Sequence, residues 1–253
     1  MPAARLGEIV KYCDRILHTS EVKDYDGAAN GLQVENGGNV TQLAACVDAT
    51  PKTIELAVRA RANLMIVHHG LFWSARQPWT GVNYRLIRTL VRHDIAVFSS
   101  HLPLDVHPVF GNNARLCKAL GFRNPRPFFM HQERCLGLRV QASIDREELG
   151  RRLANVLRDK PTVIGGGPKT CRAIGIVTGG AGSELKKAAG EGVDTFITGE
   201  GPHWTYGLAE ELGVNVFYGG HYATETFGVK ALAKHLSERF KVPWDFLDYP
   251  TGL

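Results

Sequence analysis

The chain has 253 residues, 44% of them apolar and 22% charged, which excludes a disordered polar chain and fits one large or two smaller globular domains. Lys plus Arg number 30 against 25 Asp plus Glu, and the resulting excess of +5 is scattered along the sequence. Its densest basic stretch, 146–160, also carries Glu147, Glu148 and Asp159, so it reads as a solvated helix face rather than the concentrated basic stripe of a nucleic-acid surface.

From the amino end, Leu6, Ile9, Val10, Cys13, Ile16 and Leu17 follow helical spacing and predict an amphipathic helix over 5–18. Its mixed charges are unlike a secretory leader, and no apolar run approaches the ~18 residues that span a bilayer. Short apolar strands then alternate with helices. Strands are predicted at 43–47, 64–67, 95–99, 136–141, 173–178, 195–198 and 214–218. Helices are predicted near 51–60, 82–93, 112–119, 146–158, 183–190, 204–212 and 223–239. Thr50-Pro51 is a good helix start, a capping hydroxyl followed by a proline that needs no N–H. The alternation predicts an α/β fold of two lobes with largely parallel, mixed sheets. Two prolines and an aromatic cluster in 122–132 mark a crossing between lobes. One lobe is then formed by 1–127 plus 215–253, and 128–214 is an inserted second lobe. Five cysteines at 13, 46, 117, 135 and 171 include no C-x-x-C and form an odd set, which predicts reduced thiols and a cytoplasmic protein.

Chemistry concentrates at the strand ends. Strand 64–67 runs into His68-His69-Gly70, strand 95–99 into His101 and Asp105, and strand 214–218 into His221 and Glu225. Strands 43–47 and 195–198 end near Asp48 and Glu200. Ligands of open α/β sheets bind beyond the carboxyl ends of strands, so these groups predict a metal site there, in the cleft between the lobes. His221 and Glu225, four apart, share one helix face, whereas Pro103 predicts that His101 and Asp105 share a loop. Adjacent histidines diverge and so suit two ions rather than one. A mixed nitrogen and oxygen donor set without thiolate admits two divalent ions among Zn, Mn, Fe, Co and Ni. Asp48 is either an imidazole's partner or part of the following helix cap, and Glu200 or His203 is either a general base or a rim residue. Gly179-Gly180-Ala181-Gly182 is either a tight strand-to-helix turn or an anion cradle. The run 165–170 lacks the Gly-Lys-Ser/Thr ending of a P-loop. Phe72, Trp73, Trp79 and Tyr84 either wall a pocket or pack in the core.

Asn30-Gly31-Leu32-Gln33-Val34, Asp48, VHHG at 67–70, SHLPLD at 100–105 with Gly111-Asn112-Asn113, TGE at 198–200 and GGHYATE at 219–225 together resemble the NIF-three-like family, in order and over nearly the whole chain. Members are often labelled GTP cyclohydrolase 1 type 2 homologues. The resemblance implies a dinuclear site held by His68, His69, Asp105, His221 and Glu225, with His101 close by, and a homohexameric ring built as a trimer of dimers. Members often carry two adjacent histidines after the TGE segment; here His203 is followed by Trp204. The extra middle domain of longer members is missing. The function expected is a metal-dependent hydrolase acting on a small anionic or nucleotide-like substrate, with His101 or Glu200 moving protons. A non-catalytic metal carrier or ring-shaped scaffold is the alternative.

Overall fold

A computed structural model describes residues 3–73 and 78–253, which divide into two compact units. The first comprises residues 1–107 and 228–249, the second 108–227 and 250–253. In chain order the first contains β1 (Ala4–Arg5), α1 (Leu6–Leu17), β2 (Gly31–Val34), β3 (Asn39–Val40), β4 (Leu43–Asp48), α2 (Pro51–Arg59), β5 (Leu64–His69), α3 (Gly81–Arg92), β6 (Ala96–Ser99) and α4 (Leu102–Asp105). The second contains α5 (Asn112–Ala119), β7 (Arg126–His131), β8 (Arg134–Asp145), α6 (Arg146–Leu157), β9 (Thr162–Gly165), β10 (Thr170–Ile176), a 3-10 turn at Ala181–Glu184, α7 (Leu185–Gly190), β11 (Thr195–Thr198), α8 (Thr205–Leu212) and β12 (Asn215–Tyr218). Helix α9 (His221–Phe240) begins in the second unit, and β13 (Trp244–Phe246) returns to the first.

The first unit's main sheet has the order β13-β4-β5-β6-β2, parallel except for the antiparallel edge strand β2. Its central strand, Leu-Met-Ile-Val over 64–67, is apolar throughout because helices cover parallel sheets on both faces. Ile54 and Ala57 of α2 and Leu90 of α3 pack on Met65, Val67 and Val97. Thr50 caps α2 reciprocally with Thr53 and is followed by Pro51, as the sequence predicts. The second unit's sheet has the order β7-β8-β10-β11-β12-β9, in which only β10, β11 and β12 run parallel. Leu149 and Leu153 of α6 pack against Val140, Ile174, Ile176, Ile197 and Phe217.

Two lobes of mixed sheets are therefore present, with borders placed differently from the sequence reading. The chain crosses at 107/108 rather than 127/128, since α5 packs on β8 and the β7–β8 hairpin pairs into the second sheet. It returns at 227/228 rather than 214/215, since β12 pairs with β11. His221 and Glu225 consequently belong to the second unit, not to the lobe that carries His68 and His69.

Candidate functional site

In the first unit, three imidazoles meet beyond the sheet. His68 and His69 are the last two residues of β5 rather than a turn after it, and His101 directly precedes α4. His68, His69 and His101 each present a ligand atom within 4.8 Å of the other two. His68 is fully buried. Its Nε2 lies 3.4 Å from Oδ2 of Asp105, the last residue of α4. Pro103 does not confine this segment to a loop, contrary to the sequence reading. It takes the second helical position, where a missing N–H costs nothing.

Each imidazole is tied back through Nδ1. His68 Nδ1 lies 2.9 Å from the Ser100 carbonyl oxygen. His69 Nδ1 is 2.7 Å from Asp48 Oδ1, and His101 Nδ1 is 2.9 Å from Asp24 Oδ1. All three acceptors are oxygens without a proton to give, so the imidazoles donate from Nδ1, which sets their tautomer and orientation. Sheet register explains the first carboxylate. Asp48 on β4 is the direct cross-strand partner of His69 on β5, so their side chains meet. Of the two readings of Asp48, the imidazole partner is the one its side chain adopts, while Thr50 makes the helix cap.

Asp24 gives no comparable signal in the sequence. It sits in an irregular loop 77 positions before His101. Its carboxylate also accepts the backbone N–H groups of Tyr25 and Leu102 and the amide of Asn30. Burial would raise its pKa, but the His101, Asn30 and Tyr25 donors outweigh it and hold it below the ordinary value. Asn30 in turn accepts the His101 backbone N–H at 2.8 Å. It is placed there because Gly31 pairs with Ser99 at the edge of the sheet. Beside it, Gln33 lies at an irregularity in the β2–β6 register and spends its amide on Ala29 and Leu71, each at 2.6 Å. A Cβ on Gly70 would overlap that amide.

Aromatic rings stand against these histidines. Trp73 donates its indole N–H to the Gly70 carbonyl and meets His69 and His101 edge-on, with centroids 5.3 and 4.8 Å away. Phe72 packs edge-on against Trp79, and Trp79 and Tyr84 are exposed rather than core residues.

In the second unit, the ladder between β11 and β12 continues past the strands. Gly219 N–H donates to Thr198 and Gly220 N–H to Gly199, which sets Glu200 beside the start of α9. His221 Nδ1 is 2.7 Å from Glu200 Oε1, and its Nε2 is 3.1 Å from Glu225 Oε2 one helical turn on. Burial disfavours the imidazolium, but the Glu225 and Glu200 carboxylates overcome this and raise the His221 pKa to about 9.

The glycine segment 179–182 is the tight turn of the two readings. Gly179, Ala181 and Gly182 donate their N–H groups to Thr224, Thr198 and Glu200 of the protein itself. Gly179 has a φ of +73°, and a Cβ there would overlap the Glu225 carboxylate. His203 is exposed, on the rim of a cavity that Glu200 also lines.

The family described as Duf34/NIF3 (NGG1p interacting factor 3) matches residues 4–251. This chain belongs to the DUF34/NIF3 family. Among curated relatives, a "GTP cyclohydrolase 1 type 2 homolog" of Halobacterium salinarum is 40% identical over 96% of this chain and 97% of its own length. One of the same description from Deinococcus radiodurans is 37% identical over 90% of this chain and 88% of its own. A crystal structure of a Thermus thermophilus protein has a TM-score of 0.92 at 37% identity, covering 99% of this chain and 100% of that one. Reduced HcgD from Methanocaldococcus jannaschii superposes with a TM-score of 0.87 at 25% identity, over 98% and 99% of the two chains. No described helix is long and apolar enough to cross a membrane.

Proposed function

We propose that this chain is a metal-dependent hydrolase that holds two divalent ions and acts on a small anionic or nucleotide-like substrate. His68, His69, Asp105, His221 and Glu225 would hold the ions, and His101 adds a further donor. The observation that carries this reading is the shared state of four imidazoles, each tied through Nδ1 to an oxygen acceptor: His68 to Ser100, His69 to Asp48, His101 to Asp24 and His221 to Glu200. Imidazoles oriented through Nδ1 by carboxylates or carbonyls are the pattern of metal ligands. Nitrogen and carboxylate donors without thiolate suit Zn, Mn, Fe, Co or Ni. When bound, such ions supply Lewis acidity and positive charge for an anionic substrate.

The chain's own groups set the rest. Asp24, Asp48 and Glu200 orient imidazoles. With His101 among the donors, proton movement falls to Glu200. Its carboxylate touches His221 and is 45% exposed, so it reaches solvent as well as the site.

The deciding experiment is turnover of a nucleotide panel, GTP included, by metal-reconstituted protein with Asp105→Asn beside it. Turnover by the parent, lost in a folded Asp105→Asn, is the expected result. No turnover at verified metal occupancy would overturn the hydrolase and leave a metal carrier or scaffold. A homohexameric ring in the cytoplasm belongs to the same proposal, and a monomer by sedimentation velocity would contradict the ring.

A further inference from the structure

A cavity of about 480 Å³ opens within the second unit, in the size range of small-molecule sites. Its lining includes Lys160, Glu200, Tyr206, Tyr218 and Tyr222, with glycine backbone at 199–201 and 219–220. Glu200 makes this cavity more than a surface hollow. The carboxylate that lines it also holds His221, so an occupant touches the residue that orients a metal donor.

The charges on the wall are unevenly committed. Asp159 accepts the Lys160 backbone N–H on one carboxylate oxygen at 2.7 Å, and one oxygen of Glu200 faces His221. Lys160 makes no ion pair among the described residues, so its ammonium is the wall's lysine cation open to a ligand, beside the exposed His203. The rings are also differentiated. Thr205 gives its hydroxyl proton to the Pro202 carbonyl, so Tyr218 donates to Thr205 and is fixed as wall. Tyr206 is 55% exposed on the same helix, an unoccupied aromatic face at the rim.

We propose that this cavity binds a ring-bearing organic anion of the aryl phosphate kind, its acid group on Lys160 and its ring against Tyr206, with the opposite end directed at Glu200. This deepens the hydrolase reading and rests on it for the reaction. It does not rest on it for binding, because every lining residue lies in one unit.

The test is titration of the full chain, stripped of metal by chelator and then loaded with zinc, with phenyl phosphate and with inorganic phosphate, followed by calorimetry. Phenyl phosphate is expected to bind the stripped protein about tenfold more tightly than inorganic phosphate. Lys160→Glu and Tyr206→Ala, both at exposed positions, should each weaken it about tenfold with circular dichroism unchanged. Absent binding to stripped protein, equal affinity for the two anions, or indifference to both substitutions would overturn the cavity site. Binding that needs zinc and ignores Lys160 would place the anion on the ions, against this inference but for the metal reading. Phenyl phosphate binding that persists in protein unable to take up zinc would do the reverse.

Discussion

Asp24 and His101 show how a single residue can matter without announcing itself. The carboxylate collects four donors, from two loop positions, the first residue of α4 and one imidazole, so its replacement disturbs a fixed ring rather than a surface. Asp24→Asn can accept from His101 but turns an amide N–H toward groups that already donate. Metal affinity should fall about 10–100-fold, read by competition with a chromophoric chelator, while far-UV circular dichroism stays unchanged. Gly179 is a second such position. With φ at +73° and the Glu225 carboxylate where a Cβ would lie, Gly179→Ala should cost about 1–3 kcal/mol in denaturant unfolding and weaken metal uptake. Histidines and carboxylates at strand ends are legible in a sequence because strands are short, apolar and end abruptly. Asp24 is not, because no periodicity links a loop residue to a partner 77 positions on.

At the scale of elements, the parallel strands were readable and the edges were not. β4, β5 and β6 carry the continuous apolar runs that helices on both faces require, and β10, β11 and β12 carry shorter ones at Ala173–Ile176, Phe196–Ile197 and Val216–Phe217. β2, β9 and β13 are edge strands of three or four residues whose pairing depends on distant partners: Ser99 for Gly31, Tyr218 for Thr162, Ala45 for Phe246. No local pattern encodes such pairings. Helix starts are local, and Thr50 shows it. Its reciprocal bonds with Thr53 fix the entry to α2, which follows the strand bearing Asp48. Thr50→Ala should cost about 1 kcal/mol, seen as a lower denaturant midpoint at unchanged slope.

For the whole molecule, the proposed ion binding should report on stability. An ion that binds only the folded chain at a hundred times its Kd adds about 2.7 kcal/mol. Zinc or manganese should therefore raise the melting temperature, and a chelator should lower it again. A melting temperature indifferent to both would count against the proposed ion binding. The two-lobe plan was legible from the alternation of strands and helices, but the borders were not. Which sheet β7 and β12 join is decided by pairing across long stretches of chain. A last consequence concerns how this sequence can drift. The Gln33 amide fills the place that a side chain on position 70 would need, and it ties Ala29 to Leu71 in doing so. Neither position can change freely alone: a larger residue at 70 evicts the amide, and a shorter one at 33 unlaces two loops beside the histidines. Positions 33 and 70 are thus bound to vary as a pair, though they lie 37 positions apart.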